Sequence, residues 1–324
     1  MGGTATFGRH DRVRGKAVSR GAGEGLGVKV RVLGSAAGGG LPQWNCGCAN
    51  CVRARAGDAA VPPRTQPSLA LSADGSRWSL LNASPDVRDQ LAHAPGLWPR
   101  AGTRDVPLDT VVVTNADIDH VLGLLVLREA LPHRIVTTAW IRDALLDHNA
   151  AFRVLEPAFG ALKLDEAFFL DRAETLEARL FPVPGKVPGW LGTLASNAPE
   201  ATLGLRVVDR RSGRRLVATP GVRSLDSGTW AELAAADLRF VDGTFWSADE
   251  LRRLRPGAPD AIAMGHLPIG GRDGSLARLA RLPGRTFYLH MNNTNPVLDA
   301  GSAEAAEVRA LGVGIAMDGM ELEL

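Results

Sequence analysis

A single stretch, Val111 to Gly123, constrains the fold of this 324-residue chain more than any other part of the sequence. It begins VVVT, a β-branched apolar run that predicts a short buried strand. Apolar residues then recur at helical spacing from Val121 until a break at Pro132. Strands that alternate with helices in this way are typical of layered α/β proteins. We therefore expect an α/β fold with a turn between this strand and this helix.

The turn carries side chains that can bind a metal ion, namely Asn115, Asp117, Asp119 and His120. Loop backbone can direct such side chains toward one point, so they are able to converge on a single ion. A helix start with Asp119 as the capping residue accounts for the same residues. On this stretch alone, metal binding and helix capping stay equally open, because short acidic motifs give many false positives.

The three cysteines of the chain, Cys46, Cys48 and Cys51, lie within six residues at the end of a glycine-rich loop. The glycines fit neither a dinucleotide-binding nor a Walker A pattern. Three thiols on a tight loop can face one tetrahedral centre, and a fourth ligand from elsewhere would complete a structural zinc site. Three unrelated buried cysteines are the alternative, but these do not normally cluster so closely. The spacing therefore favours zinc.

Later in the chain, three more predicted strands end in a residue that can bind a metal. These are Asp242 after Leu238–Val241, His266 after Ala261–Met264 and His290 after Arg285–Leu289. Taken singly, a turn in which the aspartate binds its own backbone, or a core histidine, accounts for each residue. Four such strand ends in one alternating chain instead predict a cleft where the ends converge.

Other segments complete the expected framework. Alternation and turn residues predict strands at Ser68–Ser72, Trp78–Leu81 and Arg134–Thr138, and a strand-rich region from Leu176 to Leu216. Helices are expected at Ala139–His148, at residues 275–282, and after Asn82, where Ser84 would be the cap and Pro85 the first helical residue. Residues 186–199 predict a surface loop.

Composition excludes several functions. The apolar runs are too short to span a bilayer, so we expect no membrane insertion. The net charge is only +2, and residues 1–27 hold five basic side chains against two acidic ones, so the rest of the chain gives no reason to expect nucleic-acid binding. Residues 1–27 lack the apolar core of a signal peptide and predict a disordered extension, or an upstream start codon. We therefore expect a reducing, cytoplasmic compartment.

The order of these motifs resembles the metallo-β-lactamase superfamily, whose fold is an αββα sandwich of two mixed β-sheets flanked by helices. Its first motif, H-x-H-x-D-H, matches the positions Asn115, Asp117, Asp119 and His120. Asp242 matches the bridging carboxylate, His290 the last histidine ligand, and His266 an extra histidine of the ribonuclease-Z-like and cyclic-phosphodiesterase branches. The usual Pro-Gly-His of the third motif ends here in Lys186. The resemblance thus lacks three histidines of the di-zinc hydrolase site.

A closer resemblance is to the pyrroloquinoline quinone (PQQ) biosynthesis protein B family. It rests on GSAAGGGLPQWNCGCANC, PRTQPS, NASPD, TNADIDHVLGLL, PGKVPGW, VDGTFW, MGHLP and HMNNTNPVL, in family order. The resemblance implies a single domain over residues 28–324. In related phosphodiesterases a histidine completes the cysteine zinc site, and Asn293 occupies that position here. Asn293 or a water is then the candidate fourth ligand.

The family resemblance implies a cytoplasmic step in PQQ biosynthesis, with the PQQ precursor peptide or an intermediate as substrate and other PQQ biosynthesis proteins as partners; a homodimer is compatible with it. We expect oxidative hydroxylation of the peptide-derived tyrosine, because histidine plus carboxylate ligands suit non-haem Fe²⁺ oxygenases. Zn²⁺, Mn²⁺ or Mg²⁺ are the alternative ions. The candidate ligands and catalytic groups are Asp117, Asp119, His120, Asp242 and His290. His266 would move a proton. Lys186 and Asn115 would bind the cofactor or its precursor. A carrier of PQQ towards the periplasm and a metal-dependent hydrolase are the alternatives.

Overall fold

The first of two β-sheets is built around the strand of the Val111 stretch. This computed structural model describes residues 27–129, 133–192 and 198–324. The sheet contains β1 (Lys29–Gly34), β2 (Ser68–Ser72), β3 (Trp78–Leu81), β4 (Leu108–Val112), β5 (Arg134–Thr138), β6 (Phe159–Leu162) and β14 (Glu321–Glu323). Their order is β14-β1-β2-β3-β4-β5-β6, antiparallel from β14 to β3 and parallel from β3 to β6. Apart from residue 27, the extension predicted at residues 1–27 lies outside the described residues.

The second sheet repeats this arrangement. It contains β7 (Phe168–Phe169), β8 (Leu176–Pro182), β9 (Leu203–Asp209), β10 (Arg215–Thr219), β11 (Leu238–Asp242), β12 (Arg285–Leu289) and β13 (Gly314–Ile315), in that order across the sheet. The strands are antiparallel from β7 to β10 and parallel from β10 to β13. Each sheet is therefore mixed, with one antiparallel and one parallel half.

Helices cover the outer faces of the sheets. They are α1 (Ala49–Arg55), α2 (Val87–Ala92), α3 (Ile118–Val126), α4 (Ala139–His148), α5 (Ser227–Ala234), α6 (Glu250–Leu254), α7 (Leu276–Leu279) and α8 (Ala303–Ala310). Helix α4 packs against β5 and β6 of the first sheet, and α8 packs beside β13 of the second. Within the described part of the chain, no helix is long and apolar enough to cross a membrane.

Neighbouring residues of β11 point into two different apolar cores. Phe240 packs into the core between the sheets, together with Leu80 of the first sheet. Val241 packs on the opposite face, with Leu233 of α5 and Val308 of α8. This alternation follows from the two-residue period of a strand. Two sheets packed face to face between helices form the αββα sandwich that the family resemblance implied.

The structure confirms several predicted elements and corrects others. Strands β2, β3, β5 and β12 and helix α4 have the predicted bounds. Ser84 is not the cap of α2, because Asp86 occupies that position. The predicted strand at Ala261–Met264 is wrong, since residues 261–265 form a turn. Helix α7 covers only part of residues 275–282, and α1 is an additional helix that was not predicted.

Candidate active site

A cleft of about 190 Å³ lies at the carboxyl ends of the parallel strands, which is where α/β sheets commonly bind ligands. The loops after β4, β11 and β12 all contribute to it. It is lined by Ala37, Gly38, Asn115, Asp117, Asp119, His120, Lys186, Gly221, Thr244, Phe245, Met264, His266, His290 and Asn292. The structure therefore brings most of the predicted site residues to one place.

The turn after β4 positions the first motif. Asn115 Oδ1 accepts a hydrogen bond of 3.0 Å from the backbone N–H of Asp117, which shapes the turn. Asp117, and not Asp119, is the N-cap residue of α3, and its side chain makes no capping hydrogen bond. Capping by Asp119 is therefore wrong as an account of this motif. Asp119 instead lies in the first turn of α3, beside the buried His120.

Asp119, His120 and His290 present ligand atoms within 4.8 Å of one another. His290 Nε2 lies 3.0 Å from Asp119 Oδ2, and His120 Nε2 lies 3.9 Å from the same oxygen. Both ring nitrogens of His120 are buried and have no hydrogen-bond partner among the described residues. Buried polar atoms are normally paired, so this orphaned imidazole fits a bound metal ion. Two histidines and one carboxylate form the donor set.

The protonation states of Asp119 and His120 suit metal binding. Burial alone would lower the pKa of His290, but its hydrogen bond to Asp119 raises it, so a bound ion would have to displace a proton there. Burial lowers the pKa of His120 to about 4, so its ring is neutral at pH 7. Burial alone would raise the pKa of Asp119, but the adjacent His120 and the hydrogen bond from His290 hold it well below its usual range. A metal ligand must be an ionised carboxylate or a neutral imidazole. Asp119 and His120 therefore already have the required forms.

Asp242, the last residue of β11, lies at the centre of a second group. Its Oδ1 accepts hydrogen bonds from the N–H (3.0 Å) and the hydroxyl (2.6 Å) of Thr244. Its Oδ2 lies 2.9 Å from the N–H of Val222 and 2.6 Å from His266 Nδ1. The ligand atoms of Asp242, His266 and His290 also lie within 4.8 Å of one another. His290 thus belongs to both groups.

His266 reaches the cleft from the turn at residues 261–265 and not from a strand end. The turn is closed by hydrogen bonds from Ala263 N to Asp260 Oδ1 (2.8 Å) and from His266 N to Ala261 O (2.9 Å). The His266 ring stacks on His290, with ring centroids 5.4 Å apart. The predicted location in the cleft is therefore correct, although the element that supplies His266 is not the predicted one.

Asp117 and Lys186 line the cleft but belong to neither convergent group among the described residues. Burial, with the nearby charge of Asp119, raises the pKa of Asp117, and the ammonium of Lys186 opposes this shift. A Cβ at Gly265, whose φ is +91°, would lie 2.9 Å from Lys186 Cγ. Gly265 therefore lets the Lys186 stem lie flat against the turn. The loop after β8, predicted as a plain surface loop, forms part of the cleft wall.

Several cleft residues were not identified from the sequence. Thr244 follows Asp242 in the VDGT motif, and its hydroxyl lies within 3.0 Å of Asp242, His266 and His290. Asn292 follows His290 in the same way. His290 itself has φ of +63°, a left-handed conformation that few non-glycine residues adopt and that is common at functional sites. Polar residues two positions after the predicted ligands were the available signal.

The three cysteines form a separate cluster with sulfur atoms within 4.8 Å of one another, and none is in a disulfide. The side-chain amide of Asn293 faces all three, 3.0 Å from Cys46 Sγ, 3.4 Å from Cys48 Sγ and 3.3 Å from Cys51 Sγ. Cys48 is also the N-cap residue of α1. Burial raises the pKa of Cys48 to about 11 in the absence of a cation. Three thiols around one point fit a zinc ion, which would favour the thiolates. Asn293 presents Nδ2 to the sulfur atoms, so it would become a ligand only after a flip of its amide that brings Oδ1 to the same place.

One segment, residues 291–295, joins the cysteine cluster to the cleft. Asn50 lies between two of the cysteines and donates hydrogen bonds to the carbonyls of Asn293 (3.0 Å) and Asn295 (2.9 Å). Asn295 Nδ2 in turn donates to the carbonyl of Gly243 (2.9 Å), and the N–H of Asn292 donates to that of Thr244 (2.9 Å). The two sites therefore share a wall of backbone.

Similarity to known proteins extends over most of the chain. A family model described as "Beta-lactamase superfamily domain" matches residues 77–291. Coenzyme PQQ synthesis protein B of Methylobacterium nodulans is 45% identical over 304 residues, which are 92% of this chain and 100% of the relative. The protein of the same name from Ruegeria pomeroyi is 46% identical over 303 residues, with the same coverage.

Solved structures agree as well. The crystal structure of Zn²⁺-bound PqqB from Methylobacterium extorquens superposes with a TM-score of 0.85 at 42% identity, and the match covers 91% of this chain and 100% of that one. A diphosphatase of the PhnP family, at 19% identity and a TM-score of 0.64 over 92% of this chain and 98% of its own, shares the fold. The chain therefore belongs to the coenzyme PQQ synthesis protein B family, within the β-lactamase superfamily.

Proposed function

We propose that this protein is an iron-dependent oxygenase of PQQ biosynthesis that hydroxylates the tyrosine of the precursor peptide, or the ring derived from it. The observation that carries the proposal is the convergence of Asp119, His120 and His290. Two histidines and one carboxylate, with other positions open, form the ligand set of non-haem Fe(II) oxygenases. The names of the relatives support the pathway.

The residues divide into those that hold the ion and those that handle the substrate. Asp119, His120 and His290 would hold Fe²⁺, which supplies a redox-active centre for reaction with O₂. Overall, one oxygen atom of O₂ enters a C–H bond of the ring, and the other leaves as water with two electrons and two protons. A two-electron reductant of the ascorbate class would supply the electrons.

His266 would handle the proton of the substrate phenol. Asp242 holds its Nδ1 at 2.6 Å, which leaves Nε2 as the nitrogen available to a substrate. An imidazole can accept or donate a proton near neutral pH, as general acid–base catalysis requires. Lys186 and Asn115 would bind carboxylate and carbonyl groups of the substrate, because they give the cleft wall an ammonium and an amide.

A metal-dependent hydrolase is the second candidate, since Asp242, His266 and His290 form a second group of converging donors. A metal-bound water with a pKa of about 7 would then be the nucleophile. Three replacements weigh against a paired-metal site of the usual kind. Asn115 and Asp117 stand where the superfamily has histidines, and Lys186 brings a positive charge to the cleft. A carrier of PQQ would not require a bound metal ion, so the carrier hypothesis leaves the unpaired ring nitrogens of His120 without an explanation.

The test is anaerobic reconstitution with Fe(II), followed by exposure to isotope-labelled O₂, a reductant and the tyrosine-containing precursor. We expect labelled oxygen in the tyrosine ring with the wild type and none with a His120→Ala/His290→Ala variant. His93→Ala is the matched control, because His93 is an exposed histidine of the loop after α2 and should leave activity unchanged. No labelled product from iron-loaded wild type, with turnover of a phosphodiester or lactone by zinc-loaded protein, would favour the hydrolase.

A further inference from the structure

All the hydrogen-bond acceptor positions of the Asp242 carboxylate are occupied by protein donors. A carboxylate offers about four acceptor positions, and four protein donors surround this one. They are the N–H and hydroxyl of Thr244 on Oδ1 and, on Oδ2, the N–H of Val222 and Nδ1 of His266. The side chain is also completely buried, with 0% of its surface exposed. A metal ligand at this position would have to break hydrogen bonds that are already formed.

The hydroxyl of Thr244 connects this carboxylate to His290. The direct distance from Asp242 Oδ1 to His290 Nδ1 is 3.9 Å, too long for a hydrogen bond. The hydroxyl lies 2.6 Å from Asp242 Oδ1 and 2.8 Å from His290 Nδ1. It has one proton, and the ionised carboxylate is the stronger acceptor. The hydroxyl therefore donates to Asp242 and accepts a hydrogen bond from the Nδ1–H of His290.

This arrangement selects one tautomer of His290. Since Nδ1 keeps its proton, the lone pair that an ion would bind is the one on Nε2, which faces Asp119 Oδ2 at 3.0 Å. In the metal-free protein a proton on Nε2 makes the hydrogen bond to that oxygen, and a bound ion would take the place of this proton. Nδ1 of His266 also faces Asp242, so its Nε2 is likewise left free of the proton. Metal-bound histidines usually donate their other N–H to such a partner, which orients the ring.

We propose that Asp242 and Thr244 form a positioning pair that orients His290 and His266, and that Asp242 is not itself a metal ligand. The active-site ion is then held by Asp119, His120 and His290 alone. This differs from the bridging carboxylate that the superfamily resemblance implied for Asp242. The inference rests on the metal site of the proposed function but not on the reaction at that site.

The experiment uses Co(II) as a spectroscopic probe and Fe(II) under anaerobic conditions, each added to full-length protein whose cysteine site already holds zinc. The variants are Thr244→Val, Thr244→Ser and Asp242→Asn. Thr219→Val is the matched control, because Thr219 is a buried threonine at the end of β10 whose hydroxyl has no partner among the described residues. The readouts are the stoichiometry and Kd of the ion and the exchangeable imidazole N–H signals in the NMR spectrum of the Co(II) protein.

We expect every variant to bind one ion at this site. Thr244→Val and Asp242→Asn should each weaken binding by about 10–100-fold, the range found when a group that orients a ligand is removed. Thr244→Ser should restore the affinity and the shifted N–H signal of His290, which Thr244→Val should lose. The Thr244→Val/Asp242→Asn double variant should bind the ion little more weakly than either single variant, because the two residues act through one hydrogen-bonded bridge.

Complete loss of the ion in Asp242→Asn, with wild-type affinity and N–H signals in Thr244→Val, would overturn the inference and make Asp242 a ligand. The proposed iron site would survive that result. Failure of the wild type to bind either ion at this site would overturn both the inference and the proposed function.

Discussion

Replacement of His120 by leucine should make the metal-free protein more stable while it abolishes metal binding. The His120 ring is 1% exposed, and neither of its nitrogens has a partner among the described residues. Because burial lowers its pKa to about 4, the ring is neutral at pH 7, with one unpaired donor and one unpaired acceptor. Packing alone would favour an apolar side chain at this position, so the polar ring fits a role in binding an ion.

The magnitude follows from two opposing effects. Each buried unpaired polar group costs about 1–3 kcal/mol, so two cost roughly 2–6 kcal/mol. A branched side chain in place of a flat ring costs about 1–3 kcal/mol in packing. The free energy of unfolding of chelator-treated His120→Leu should therefore exceed that of the wild type by roughly 2 kcal/mol, the difference between the midpoints of these two ranges. Excess metal at 100 times its Kd would add about 2.7 kcal/mol to the wild type alone, which closes or reverses the difference.

Urea unfolding at pH 7, with a chelator and then with added Fe(II), measures both differences. His290→Leu is the matched control at the same site. His290 pairs with Asp119 and Thr244, so its loss should destabilise the metal-free protein by about 3–5 kcal/mol through an unpaired buried charge. A chelator-treated His120→Leu protein that is less stable than the wild type would show that the ring nitrogens of His120 are satisfied, and the case for a metal at this position would lose its main support.

Three further predictions concern other parts of the molecule. Burial raises the pKa of Glu250 to about 7 from an ordinary value of 4.5, so its contribution to the free energy of unfolding is full below pH 4.5 and is lost as pH rises through 7. Over that range the free energy of unfolding of the wild type should fall by about 3 kcal/mol because of this group, and Glu250→Gln should remove that decline in urea unfolding. An unchanged pH profile in the variant would contradict this. Cys48→Ser should remove one zinc per chain and lower the Tm, as measured by metal analysis and calorimetry; full zinc content would rule out the cysteine cluster as the zinc site. Gly265→Ala is strained by its φ of +91° and crowded against Lys186, so it should lower the free energy of unfolding in urea by about 1–2 kcal/mol. It should also raise the KM for substrate more than the Kd for metal. Equal effects on KM and Kd would argue against Lys186 as a substrate-binding residue.

The sequence could predict the framework where local signals are strong. Runs such as Ser68–Ser72 and Arg134–Thr138 are β-branched or alternating and are bounded by turn residues, and their observed bounds agree with the predicted ones. The strand before the first motif lies earlier in the chain than predicted, since β4 covers Leu108–Val112 and leaves Val113 and Thr114 to the turn. Strand existence was clear, whereas the end of a strand depends on its neighbours in the sheet.

Local signals failed where tertiary contacts decide. Ala261–Met264 is apolar enough for a strand, but the Asp260 side chain closes a turn over it and Ile262 is 40% exposed. The role of Thr244 depends on two histidines that lie 22 and 46 residues further along the chain. No periodicity or spacing rule brings those residues together. The packing of β11 beside β12 brings Thr244 to His290, and the turn at residues 261–265 brings His266 to it.

Because the segment at residues 291–295 is hydrogen-bonded to both sites, we expect the two sites to unfold locally as one unit. Asn50 ties this segment to the cysteine loop, and Asn295 ties it to the backbone that carries Asp242 and Thr244. Regions joined in this way open together, with one free energy. We expect the amides of the cysteine loop and of residues 292–295 to exchange with solvent at a common rate, and filling either site to slow both. On this expectation, an intact cysteine cluster helps to keep the candidate cleft ordered.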